Sequence, residues 1–74
     1  NQNPRDVNAS VAYSAALRKI RSNEEAVKVI TRAANANPDH HGANLEAGRA
    51  LVEAGRAFEA VRFLEKAEEI NPQD

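Results

Sequence analysis

The stretch NPDHHGANLEAGRALVEAGRAFEAVRFLEKAEEINP, residues 37–72, begins and ends on an Asn-Pro pair. A third pair, Asn3-Pro4, stands upstream of Asn37-Pro38 at the same 34-residue spacing that separates Asn37-Pro38 from Asn71-Pro72. The residues between the pairs repeat in the same register. Laying 7–40 over 41–74 pairs Ala9 with Ala43, Ala16 with Ala50, Leu17 with Leu51, Glu25 with Glu59, Ala26 with Ala60, Val27 with Val61 and Ala33 with Ala67. Ile30 over Leu64, Lys28 over Arg62 and Arg32 over Lys66 are conservative exchanges. A fixed period of about 20 to 50 residues marks a stacked-repeat architecture, in which each unit buries its apolar face only against a neighbour.

Each copy reads as two helices. Ala9, Tyr13, Ala16, Leu17 and Ile20 recur at helical spacing within 7–20, and Ala26, Val29, Ile30, Ala33 and Ala34 do so in the second half of that copy. Ser22 and Glu25 have the spacing of a capping box, which predicts the start of the second helix there. In the second copy Ala47, Leu51 and Ala54 form one stripe and Ala60, Leu64 and Ala67 another, beside Phe63 and Ile70. Gly55 marks the turn between them, because glycine takes positive φ at little steric cost. Pro38 and Pro72 end their units for want of an N–H and ring clearance. The predicted fold is all-α: four helices in two antiparallel hairpins stacked as an α-solenoid, with 1–6 as the end of a preceding repeat, 7–40 as the first unit and 41–74 as the second.

This pattern resembles the tetratricopeptide repeat. In the second copy Gly48, Leu51, Gly55, Ala60, Leu64, Ala67 and Pro72 fall where that family places small, large apolar, turn, small, large apolar, small and Pro residues. The first copy matches through Ser14, Leu17, Ala26, Ile30, Ala33 and Pro38. Two places depart from it. Where the family often carries Trp, early in the first helix, this chain has Ser10 and Asn44, and its Tyr after the inter-helix turn is Asn23 in one copy and Ala57 in the other.

Composition bounds the function. The chain has 74 residues, a formal net charge of -1 and no cysteine, which removes disulfides and thiolate metal sites. It contains no apolar run near the roughly 20 residues of a membrane-spanning helix, so this segment is not expected to insert in a membrane. The absence of a secretory signal pattern and of an initiator Met leads us to expect a piece of a longer repeat protein. Repeat units of this kind need about three neighbours to be stable, which predicts further repeats or self-association. The copies differ in sign: five Lys or Arg against three Asp or Glu in 7–40, and four against seven in 41–74. Opposite signs favour head-to-tail stacking at low salt, although solvated faces with local pairs such as Glu24 with Lys28 account for the same pattern.

No catalytic constellation emerges. The hydroxyls of Ser10, Ser14, Ser22 and Thr31 sit at helix or cap positions, and the histidines His40 and His41 are adjacent. A nucleophile needs a base within hydrogen-bond reach and a third group to orient that base. Asp39, His40 and His41 offer metal-competent ligands, but adjacent histidines diverge at a helix start and no further His or Cys is available to close the shell. The expected role is an inter-repeat turn with Asp39 capping the next helix. Gly42, Gly48 and Gly55 are spread along helices rather than gathered in one phosphate-binding loop. Three aromatics and a slightly acidic pI do not make a basic, base-stacking surface, so nucleic acid is not an expected partner. We expect no enzyme, no cofactor and no metal.

Binding of a protein or peptide remains. In tetratricopeptide arrays the first helices line a concave groove, so the resemblance places Asn8, Val11, Ala15, Arg18 and Lys19 there, beside Gly42, Leu45, Arg49, Val52 and Glu53. Helical spacing puts Val11, Ala15 and Arg18 on one face, and likewise Leu45, Arg49 and Val52, independently of the family. Such a groove suits an extended or helical peptide with apolar anchors and an acidic group. The alternative is that Leu45 and Val52 are covered by a next repeat or a dimer mate, in a structural, self-associating segment whose contacts lie at repeat ends such as Val61, Phe63 or Ile70. The clamp with which some family members grip chaperone tails needs Lys and Asn where this chain has Val11, Leu45, Ala15 and Arg49, so it is not expected.

The run from Asp6 to Arg18, with Asn37-Pro38-Asp39 and Gly48-Arg49-Ala50-Leu51, also looks like the Ala-rich repeats of bacterial Tad-type pilus-assembly proteins. That resemblance implies a scaffold of the periplasm or outer membrane. A cytoplasmic scaffold, or a repeat domain appended to an enzyme such as a glycosyltransferase, is equally compatible with these residues.

Overall fold

A computed structural model describes residues 6–72. It contains four α-helices: α1 (Asp6–Lys19), α2 (Asn23–Ala36), α3 (His41–Glu53) and α4 (Ala57–Ile70). These pair as two hairpins, α1 with α2 and α3 with α4, and α3 also lies against both helices of the first hairpin. The predicted repeat plan is therefore the observed one. Residues 1–5 and 73–74, including the expected lead-in and Asn3-Pro4, lie outside the described residues, and Asp6 already belongs to α1.

Both intra-hairpin turns are built the same way. The Ser22 N–H donates to the Leu17 carbonyl at 2.8 Å and the Arg21 N–H to the Arg18 carbonyl at 3.0 Å; 34 residues on, Arg56 donates to Leu51 at 2.7 Å and Gly55 to Val52 at 3.0 Å. These nested bonds satisfy carbonyls that the helix end leaves open, and they require one residue at positive φ. Gly55 supplies it at φ +80, as the sequence predicts, whereas the first copy places Arg21 there at φ +67. Ser22 flanks α2, but its side chain makes no cap bond. The expected capping box is not formed: Ser22 serves as the last residue of the preceding turn, with φ -87 and ψ 61 instead of the extended backbone that aims a hydroxyl at the helix start.

The turn between hairpins departs from expectation in a second way. The cap of α3 is His40 and not Asp39: its Nδ1 accepts the Ala43 N–H at 3.0 Å. An imidazole accepts at Nδ1 only while that nitrogen is unprotonated. Asp39 points outward, 4.0 Å from the Lys66 Nζ. Asn44, at the place where the family often has Trp, is buried and donates through Nδ2 to the carbonyls of Pro38 (3.1 Å) and His40 (2.8 Å). It thus ties the inter-repeat turn from inside.

The core runs through Val7, Leu17, Val27, Ile30, Leu51 and Phe63, filled in by buried alanines on all helices but α1. Two expected assignments change here. Phe63, taken as an exposed repeat end, is buried at 8% exposure, and Arg62 stacks over its ring at 5.1 Å. Of the α1 stripe Ala9, Tyr13, Ala16, Leu17 and Ile20, only Leu17 is buried; the inward face of α1 is Val7, Ser14 and Leu17, with Val11 packed beside it. Gly48 lets α4 approach α3, since a Cβ there would lie 2.2 Å from the Leu64 Cδ2 and 2.5 Å from its Cγ.

Candidate interaction surface

The seam between α1 and α3 holds the most polar cluster of the interior. Ser14 occupies in α1 the register of Gly48 in α3, and its small side chain leaves room for a carboxylate from the facing helix. That carboxylate is Glu46, only 4% exposed. Its Oε2 accepts from Ser14 Oγ at 2.9 Å and from Arg18 Nε at 2.7 Å, while its Oε1 accepts from Arg18 Nη2 at 2.9 Å. The remaining Arg18 nitrogen, Nη1, reaches Glu53 at 3.1 Å. Ser14 Oγ also lies 3.4 Å from the Ala26 carbonyl, linking α2 to the cluster. The Glu46 hydrogen bond, ahead of the other charges, raises the affinity of the Arg18 guanidinium for its proton. A bidentate guanidinium–carboxylate pair of this kind fixes geometry as well as energy.

The residues expected to form a groove are brought together unevenly. Ala15, Arg18, Lys19 and Glu53 line a cavity of about 730 Å³ that extends to Ala16, Arg21 and Asn23 at the α1–α2 turn. Arg18, Arg49, Val52 and Glu53, joined by Leu64 of α4, line a second cavity of about 350 Å³. Val11 and Leu45 are partly buried and line neither. Arg18, expected as a free cation, has all three guanidinium nitrogens engaged. Arg49, Lys19 and Arg21 are exposed and make no ion pair among the described residues, so they carry available positive charge beside these cavities. Sequence reasoning missed Glu46. Its signal is a lone acidic residue on the alanine face of α3, between Ala43, Ala47 and Ala50.

Outside the seam, the exposed Arg56 reaches Glu24 across the hairpins at 3.1 Å and also pairs with Glu59. The Arg56 hydrogen bond holds the Glu59 carboxyl below its ordinary range, with desolvation opposing more weakly. No helix among the described residues is long and apolar enough to cross a membrane.

Two helical hairpins in one register, with small residues where their helices cross, define a helical-repeat scaffold. Residues 21–74 match the family model of the tetratricopeptide repeat, and the chain belongs to that family. No curated protein and no solved structure matches it. Tetratricopeptide repeats are protein–protein interaction modules and are typically non-catalytic.

Proposed function

We propose that the chain is a non-catalytic scaffold that binds a peptide segment of a protein partner along the α1–α3 face, through Arg49 and Lys19 as cationic contacts and Val52 with Leu64 as the apolar seat. One observation carries this reading: Arg49, Val52 and Leu64 meet at one cavity, and Arg49 makes no ion pair among the described residues while Arg18 is neutralised by two carboxylates. A ligand with one acidic side chain and a neighbouring apolar anchor fits that juxtaposition. Arg18, Glu46 and Glu53 hold the two first helices at a fixed spacing, so their role in binding is to pre-form the groove.

The Ala-rich runs that resemble pilus-assembly repeats make bacterial envelope and secretion proteins the first source of peptides to present to this face. The test is fluorescence anisotropy with a panel of such peptides carrying acidic-apolar pairs. Arg49→Glu is expected to weaken binding by roughly tenfold or more, since it replaces a charge-assisted contact by repulsion. Its far-ultraviolet circular dichroism should stay that of the parent. Equal binding by Arg49→Glu and parent rules this face out.

A further inference from the structure

α2 and α4 face one another across two clefts, of about 490 and 210 Å³, that share Asn35, Arg62 and Phe63. Both walls belong to the described chain, and none of their residues lines the cavities beside Lys19 and Arg49. The floor of the larger cleft is apolar, made by Val27, Leu51 and Phe63, all buried. At its rim stands Phe58, 95% exposed. Phe58 lines the cleft, so it lies on the side of α4 turned toward α2, where the first hairpin is already in place. Its counterpart 34 residues earlier, Glu24, has a side chain 68% exposed even with the second hairpin beside it, so a following hairpin leaves this register open to solvent. The exposed ring is therefore not explained by packing within the array.

The polar groups around that floor are of two kinds. At one end Arg56 is taken up, since it donates to both carboxylate oxygens of Glu59 and reaches Glu24 on α2. Further along, Arg62 lies over the Phe63 ring and makes no ion pair among the described residues, and the Asn35 side chain makes no hydrogen bond among them. Lys66 lies 3.7 Å from Glu69 and 4.0 Å from Asp39, at the outer limit of pairing. The two clefts thus carry Arg56, Arg62 and Lys66 against Glu59 alone, a positive lining in a chain whose formal net charge is -1. Spacing selects what fits. Phe58 and Arg62 are four residues apart on α4, which sets their Cβ atoms about 5–6 Å from one another. An extended chain turns every second side chain to the same side, about 6.4–6.8 Å apart. Asn35, on the facing wall, offers a donor and an acceptor, and only an extended segment has backbone N–H and C=O groups free to meet them.

We infer that the α2–α4 cleft is a second binding surface, for an extended segment of a partner protein in which an aromatic side chain and a carboxylate stand two residues apart. The aromatic ring seats on Phe58 and the Val27, Leu51 and Phe63 floor, the carboxylate meets Arg62, and the backbone meets Asn35. Because no lining residue is shared with the α1–α3 face, the chain can hold a segment on each.

The probe is a capped peptide, acetyl-Ser-Phe-Ser-Asp-Ser-amide, titrated into the isotope-labelled chain and followed by amide NMR shifts. Saturating shifts are expected at Thr31, Asn35, Phe58 and Arg62. Arg62→Glu should weaken binding by about tenfold or more, since repulsion replaces a charge-assisted contact. Phe58→Ser removes a ring that the fold leaves in solvent, so helical ellipticity should be unchanged while binding weakens by about fivefold or more. The same peptide with Lys in place of Asp should not bind. Shifts that never saturate, binding undiminished by either substitution, or shifts confined to Arg49 and Val52 overturn the inference. Cleft shifts that change on dilution without peptide also overturn it, because a second copy is then the occupant. The signal is read residue by residue, so the cleft and the α1–α3 face fail separately.

Discussion

Replacing Glu46 by Ala removes the acceptor at the centre of the seam. The substitution deletes three hydrogen bonds, from Ser14 Oγ, Arg18 Nε and Arg18 Nη2, and leaves Arg18 with Glu53 alone. Breaking a buried ion pair from one side costs about 3–5 kcal/mol when the remaining charge stays buried. Here the Arg18 side chain is 17% exposed and keeps one carboxylate, so it recovers part of its hydration. We therefore expect a loss of about 2–3 kcal/mol, just below that range. A folded chain of this size has only about 4–11 kcal/mol in total, so the loss is a large fraction of it. At roughly 4–8 °C per kcal/mol for small domains, the thermal midpoint should fall by about 10–20 °C.

Urea denaturation followed at the helical ellipticity minimum, at a fixed low protein concentration, measures this change. The informative partner is Arg18→Val with Glu46→Ala, which installs at this seam the Val and Ala that stand at the repeat-equivalent positions 52 and 12. With no charge stranded, that double variant should cost less than about 1.5 kcal/mol, well under the sum of the single substitutions. A Glu46→Ala chain within about 0.5 kcal/mol of the parent, or a double variant as costly as the two singles together, would refute the view that Glu46 is held in place by Arg18 and Ser14.

Two further expectations concern single sites. Arg21→Gly should stabilise the first hairpin by about 0.5–1 kcal/mol, because removing an L residue from positive φ relieves more than glycine's extra unfolded-state freedom costs; a lower melting temperature contradicts this. The depressed Glu59 carboxyl means that its pairing with Arg56 favours the folded state at neutral pH, and that this contribution is lost as pH falls through the folded-state value. In a carboxyl-detected NMR titration, Arg56→Ala should move the Glu59 midpoint upward, and an unmoved midpoint removes Arg56 as the cause.

The repeat period made the fold legible, since Gly55, Pro38 and the paired alanines each state a backbone requirement that only one architecture satisfies at that spacing. What the sequence hid is the direction in which each helix turns its stripe. On α1, Ala9, Tyr13 and Ala16 recur at helical spacing with Leu17 and so read as one apolar stripe, yet the face they form has no neighbour in the described chain. Periodicity records which residues share a face and not which face has a partner. Helical spacing alone put Arg49 and Val52 on one face, and they line one cavity in the structure, while the pairing of Arg18 was not legible. Its partner Glu46 lies 28 residues away in the facing helix, and no local spacing rule joins them. The caps failed for a related reason. Ser22 and Asp39 have the right residue types, but the nested turn bonds and the His40 ring took the geometry those side chains needed.

The asymmetry of the junction between hairpins sets how the molecule yields to load. Along its inner edge α1 and α3 are clamped by a buried bidentate pair, whereas the backbone of α4 lies close only to α3 among the described helices, and α4 faces α2 across clefts of about 490 and 210 Å³. The larger cleft is spanned at one end by the exposed Arg56 to Glu24 contact, which resists little. We therefore expect the hairpins to resist separation along the α1–α3 seam more than between α2 and α4. A partner pulling on the array would change its curvature by spreading α2 from α4, leaving the spacing of the first helices intact.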